Sequence, residues 1–427
     1  MNFVLNKKYY VLFEQGIMSL MNFGLIFLLS KLITPILFKN FFLEYSVIII
    51  LTLITSTFSN QPLQIFLSKK DNNIDYIKKV IGINISLLFF LMFFVFFAGK
   101  IYYDFLLDDI FPIFVLSLVI SIYDLIRRFS FVYFQNNFLI NVFSTFSVVC
   151  CFLVLLIINY YYGVISSVGE IFWFLISAHL IGIVFFLLFK SKELKKLFAE
   201  DRSKATTSIF KIVEKHKSYS LWLVFGIIFF WNYTQGIYFI AEKYVQVDDF
   251  NVVRVSQNLV GVLSVFFVTF ENVMLTKTAL IFDGTKFLEI KKFVKKIIKQ
   301  NVLKLIGLVL VSGLIVGVIY KFYYGNNESY LSRMYYLLYF FIYQFIFGVS
   351  RIFVVAVKAM NQTKFIFYSH LITSIFTTIL GVLFLKEFNN GNTLAMIILT
   401  SILTFSVVVF IFYNKFLNKK LSLNGES

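Results

Sequence analysis

Twelve apolar runs follow one another from Tyr9 to near the C-terminus, each about as long as the roughly 20 residues a helix needs to cross a bilayer. Nothing else in the sequence narrows the fold as much. The runs are built from Leu, Ile, Phe and Val, and the whole chain holds only three prolines. A lipid-exposed segment must satisfy its own backbone hydrogen bonds, which favours helices. A transmembrane β-barrel would instead show alternating segments of about ten residues. Composition agrees: 59% of residues are apolar and 14% are charged, against roughly 25% charged in a soluble domain. The expected fold class is an all-α polytopic membrane protein. Its spans fall near 10–33, 41–67, 80–98, 110–134, 138–158, 165–189, 219–241, 252–275, 299–320, 333–357, 365–385 and 393–414.

The longest polar stretch, Lys190–Lys217, carries nine Lys/Arg against four Asp/Glu and parts six spans from six. It reads as a basic cytoplasmic linker (190–217) between an N-terminal lobe (1–189) and a C-terminal lobe (218–427). Of the 39 Lys and Arg residues, 29 fall at the termini and in the loops on the same side as this stretch, and 8 fall on the other side. That bias places both termini in the cytoplasm and requires an even number of spans. After the eighth span, Ile290–Lys299 (IKKFVKKIIK) alternates lysines with apolar residues at helical spacing. The expectation there is an amphipathic helix in the cytoplasmic interface, feeding span 9.

Several functions are excluded. The first run has no small-residue cleavage site and is expected to be retained. No G-x-x-x-x-G-K-[ST] loop occurs, so ATP hydrolysis is not expected. The outward loops are too short for a catalytic domain. The net charge of +17 is spread over many loops, so a nucleic-acid partner is not expected. Cys150 and Cys151 lie within one apolar run, and no cofactor or metal site is expected.

The two halves read as variants of one plan. GLIFLLSKLITPILFKNF from Gly24 aligns with GIYFIAEKYVQVDDFNVV from Gly236, pairing Gly24 with Gly236, Phe27 with Phe239, Lys31 with Lys243 and Phe38 with Phe250. Arg127-Arg128 precedes the polar turn Gln135-Asn136-Asn137, and Arg351 precedes Asn361-Gln362-Thr363. A six-plus-six duplication is an architecture that transporters use for alternating access.

Ionisable residues inside spans are costly and usually face the bundle interior. Glu44, Glu170, Arg254, Lys304 and Lys358 stand near predicted ends, where they are expected to reach water. His179 and His370 are expected to be structural. Glu14, Gln61, Asp124, Arg127, Arg128, Glu271 and Arg351 remain, drawn from both halves, and together suggest a polar central cavity. Its arginines suit an anionic headgroup, since guanidinium forks pair with phosphate oxygens. Glu14 and Glu271 serve either coupling or charge balance, and Asp124 stands at ion-pair spacing from both arginines of its helix.

The chain resembles the polysaccharide-flippase branch of the MOP (multidrug/oligosaccharidyl-lipid/polysaccharide) exporter superfamily, the O-antigen or Wzx-type translocases. The resemblance is carried by LLSKLITP (Leu28–Pro35), by FVYFQNNFLINVFSTFSVV (Phe131–Val149) and by the segment Ala356–Leu399. It implies two six-helix lobes around a cationic cavity and ion coupling rather than ATP hydrolysis. It also implies a lipid-linked oligosaccharide on an undecaprenyl-pyrophosphate carrier as substrate, and a multi-pass place in the bacterial inner membrane. Membrane lipids, a polysaccharide polymerase and chain-length proteins are the further partners it implies. Drug or cation export within the same superfamily predicts acidic rather than basic residues in the cavity. A membrane O-antigen polymerase or ligase predicts a long outer loop.

Overall fold

A computed structural model describes residues 7–67, 74–133, 138–162, 165–200, 208–264 and 287–423, with Phe266, Phe267, Glu271, Met274 and Thr278 from the stretch between the last two. Described residues outside helices are few, and none forms a strand. In the first half α1 is Lys7–Leu32, and α2 runs Pro35–Thr55, then through a π-helical turn at Ser56–Asn60 into Gln61–Leu67. Then come α3 (Ile74–Tyr102), α4 (Ile110–Tyr133), α5 (Phe138–Tyr162) and α6 (Val168–Glu200). In the second half α7 runs Ile209–Trp231 and through a π-helical turn at Asn232–Gly236 into Ile237–Ala241. It is followed by α8 (Val247–Gly261), α9 (Phe287–Tyr324), α10 (Tyr336–Ala359), α11 (Thr363–Phe388) and α12 (Gly391–Leu423). All but α1 and α8 are, as described, long and apolar enough to cross a membrane.

Every expected span but the eighth, of which only the first part is described, has its helix, with two differences. Lys190–Glu200 continues α6, and Ile209–Lys217 opens α7, so the described parts of the basic stretch are helical. Residues 201–207, the turn Gln135–Asn137 and most of the end of the eighth expected span lie outside the described residues. The lysine-rich segment Ile290–Lys299 is the first part of the 38-residue helix α9 rather than a separate helix in the interface. Phe287, Ile290, Val294 and Ile297 are buried there, which holds the segment in line with the rest of the helix.

The chain forms two compact units, one of Met1–Asn22 with Lys31–Ile227 and one of Phe23–Ser30 with Ile228–Ser427. Their internal packing follows one scheme. In the first, α2 packs on α4, α4 on α6 and α5 on α6; in the second, α8 packs on α10, α10 on α12 and α11 on α12. A one-turn helix precedes the fourth long helix of each half, Phe105–Asp108 before α4 and Glu328–Leu331 before α10. The register that pairs Gly24 with Gly236 also pairs Pro35, which opens α2, with Val247, which opens α8.

Local chemistry sets the ends. Pro35 occupies the first turn of α2, where its missing N–H costs nothing, and Thr34 Oγ1 accepts from the Leu37 N–H at 3.4 Å. The α10–α11 turn and the end of α11 use Asn361 (φ 55°) and Asn389 (φ 30°), left-handed positions that Asn tolerates. The sixth helix of each half starts against a carboxylate. The Gly169 N–H donates to Asp109, and the Gly391 N–H donates to Asp249 Oδ2 at 2.9 Å. A Cβ at Gly391 would stand 2.7 Å from the Tyr336 hydroxyl, so glycine allows this approach. Asp249 also pairs with Arg333. Asp109 instead meets the buried Glu44 carboxyl, and burial pushes the Asp109 carboxyl above the ordinary range. Glu44, expected to reach water, is therefore an interior residue.

Candidate functional site

The polar residues of the first unit converge because α2 changes pitch. A π-helical turn inserts one extra residue and redirects the side chains that follow, and such turns are frequent at functional sites. At Ser56–Asn60 it aims Ser56 and Asn60 at α4. Ser56 Oγ donates to Asp124 Oδ2 at 2.8 Å, and Asn60 Nδ2 donates to the same oxygen at 3.0 Å. Asn84 of α3 braces Asn60, its Nδ2 donating to Asn60 Oδ1 at 2.8 Å.

Asp124 in turn holds both arginines of its own helix. Arg128 Nε donates to Asp124 Oδ2 at 2.9 Å, while Arg127 approaches Oδ1 at 3.6 Å. Arg127 also faces Glu14 of α1, with Nε 3.6 Å from Oε1. Glu14 is only 1% exposed and takes a hydrogen bond from Thr145 of α5 at 3.4 Å. Two arginines thus meet two carboxylates. Even so, Arg127 Nε and Glu14 Oε2 are buried with no hydrogen-bond partner among the described residues.

Pro62, just past the π-helical turn, has no N–H to offer the Phe58 carbonyl, a defect that proline imposes inside any helix. His216 of α7 takes up the freed acceptor. Its Nδ1 donates to Phe58 O at 3.0 Å, which fixes the tautomer and leaves Nε2 to accept from the Tyr76 hydroxyl at 2.8 Å. Gln61, placed with the cavity residues by sequence, does not join the arginine cluster: its amide bonds to Thr57 of its own helix at 3.4 Å.

The second unit builds a smaller counterpart. Glu271 is buried and accepts from Arg351 Nη1 at 3.1 Å and from Lys358 Nζ at 2.5 Å, both on α10. The Arg351 guanidinium lies over the Phe347 ring, 4.0 Å from its centroid. One carboxylate here serves two cations. Arg351 Nε is again buried without a hydrogen-bond partner among the described residues.

Lys358 keeps about one-third of its side chain exposed, as expected of a residue that reaches water. Sequence reasoning missed that it also completes this cluster; its seven-residue spacing from Arg351, two turns along one face, was the available signal. Arg254 was also expected at a water-exposed end. It is 5% exposed and donates to Gln257 Oε1 at 2.5 Å, an oxygen that the Tyr238 hydroxyl shares. Lys304 does stand exposed. Glu170 closes the N-terminus of α6 by accepting from Ser166. The His179 ring bonds the Leu175 carbonyl and stands edge-on to Tyr123, and the His370 ring stacks on Phe405.

No known family profile matches the chain, and no curated protein matches it. Solved structures do. An inward-facing multidrug resistance MATE family transporter of the MOP superfamily superposes with a TM-score of 0.70 at 10% identity, covering 98% of this chain and 96% of its own. The lipid II flippase MurJ, in an inward closed conformation, matches with a TM-score of 0.68 at 14% identity, covering 94% of this chain and 87% of its own. The Vibrio cholerae MATE transporter VcmN in its bent form gives 0.56 at 13%, covering 97% and 96%. The chain therefore shares the fold of these proteins, and its ten long apolar helices among the described residues make it a multi-pass membrane protein. Its structural neighbours are transporters and flippases, not enzymes.

Proposed function

We propose that this protein is a flippase that moves undecaprenyl-pyrophosphate-linked oligosaccharide repeat units across the bacterial inner membrane, for O-antigen or capsule synthesis. In this reading residues 1–189 and 218–427 act as two lobes that alternate access, joined through 190–217, with both termini cytoplasmic. A polysaccharide polymerase and chain-length proteins would act on what it delivers. The observation that carries the reading is the pair of arginines, Arg127 and Arg351, one in each unit, each partly exposed but with a buried Nε that makes no hydrogen bond among the described residues. An arginine that keeps one donor free of any hydrogen bond while held by a carboxylate suits an incoming diphosphate, which accepts forked, charge-assisted hydrogen bonds. The shared fold with a lipid II flippase supports the same substrate class.

Glu14, Asp124 and Glu271 then hold the guanidinium groups between transport events, and the diphosphate competes with them. Export of drugs or cations fits less well, because no carboxylate in either cluster lacks a cationic neighbour. Each lost charge-assisted bond is worth about 1.5–3 kcal/mol. Arg127→Ala and Arg351→Ala should therefore each slow flipping by roughly 10- to 100-fold, with the protein still in the membrane. Surface polysaccharide at the normal level in both variants and in their combination would remove the assigned role.

A further inference from the structure

Helix α9 is built unlike its neighbours. Its 38 residues extend about 57 Å at 1.5 Å per residue, well beyond a roughly 30 Å hydrocarbon core. None of the residues in its most apolar window is fully buried, and Leu303, Val311, Leu314 and Val318 stand exposed on it. Where it passes α10 the two helices leave an apolar groove of about 710 Å³, with Ile306, Leu310 and Gly313 on one wall and Phe341 and Phe345 on the other. Gly313 makes room for it: a Cβ there would meet nothing nearer than the Phe341 ring at 3.8 Å.

The same stripe of α9 carries charge at its N-terminal end. At 100° per residue, Lys292, Lys295, Lys299, Ile306, Leu310 and Gly313 fall within about 60° of one another. All three lysines are exposed, and none forms an ion pair among the described residues. The opposite side of this segment is buried through Ile290, Val294 and Ile297, so the lysines are held facing outward.

We infer that α9 and α10 form a binding site for one anionic diacyl phospholipid, with its phosphate on Lys295 and Lys299 and an acyl chain in the groove. Length selects this occupant. The groove from Ile306 to Leu314 is about 12 Å long and begins about 10 Å past Lys299, which matches a chain that ends near the bilayer midplane. The tail of a long polyprenyl carrier would run far past it.

The test uses the purified full chain in neutral detergent, given equal amounts of phosphatidylglycerol and phosphatidylcholine with the same acyl chains, and reads bound lipid by native mass spectrometry. One phosphatidylglycerol should be retained in preference. Each interfacial lysine contributes roughly a 5-fold preference, so Lys295→Ala with Lys299→Ala should lose about 30-fold. Lys304→Ala, on the far side of the helix, should change nothing. Gly313→Leu fills the groove and should reduce retention with every lysine in place. The site is refuted if either the lysine pair or Gly313→Leu leaves retention unchanged. It is likewise refuted if a polyprenyl diphosphate displaces the phospholipid at lower concentration, or if a lipid-free dimer shows that a second copy covers the groove.

Discussion

Asp124 is the centre of the first cluster, and replacing it with Asn tests whether the cluster is a single cooperative unit. The carboxylate accepts hydrogen bonds from Ser56, Asn60 and Arg128, and it faces Arg127. The three bonds all go to Oδ2, and the Asn oxygen still accepts there without charge, so at about 0.6 kcal/mol per polar contact between membrane helices their weakening costs at most about 2 kcal/mol. Leaving a charge without its buried partner can cost about 3–5 kcal/mol. The groups here are about one-fifth exposed, which argues for the lower end, so Asp124→Asn should destabilise by about 2–3 kcal/mol. Arg128→Gln should be costly for the same reason. The double variant removes both charges, so it should recover at least about 1 kcal/mol of the summed single effects. Unfolding in mixed detergent micelles, followed by helical circular dichroism, reads all three. Single effects that add to within about 0.5 kcal/mol would refute the coupling.

Three further variants test local packing and charge in the two units. A methyl group at Gly391 would press on Tyr336 and Asp249, so Gly391→Ala should cost about 1–3 kcal/mol. Gly307→Ala, on an open face of α9 with nothing within 4 Å, should instead stabilise by up to about 1 kcal/mol; a thermal shift assay should give opposite signs. Asp109 titrates in the other test. Its carboxyl is raised by burial, so its contribution to stability is complete below the ordinary carboxylate value and is lost as pH rises through the raised one. Asp109→Asn cannot ionise and should therefore gain stability relative to the parent as pH rises above the ordinary carboxylate value, with no gain below it. A difference in melting temperature that stays constant with pH would contradict this.

The twelve helices were legible because apolar length is a property of the sequence alone. The register of the repeat was legible too, since the offset that pairs Gly24 with Gly236 brings the starts of α2 and α8, Pro35 and Val247, together. Partner choice was not. The sequence places Asp124, Arg127 and Arg128 on one face of a helix, but it cannot show that Glu14 and Asn60 come to meet them from α1 and α2. The π-helical turn that brings Asn60 there leaves no compositional trace beyond a run of Ser, Thr and Asn. Glu44 and Arg254 were misplaced for a related reason. A charge near the end of an apolar run can reach water or be buried by a neighbouring helix, and only packing decides between them. The lysine-rich start of α9 shows the same limit, because an amphipathic pattern fits an interfacial helix and a helix end packed on α12 equally well.

The most direct test of the proposed transport is to delete the protein in its host and locate the lipid-linked sugars. Flipping requires that surface glycan be lost while single undecaprenyl-linked repeat units accumulate on the cytoplasmic face of the membrane. Single repeat units that still reach the periplasmic face would mean that another protein carries them across, and would contradict the account.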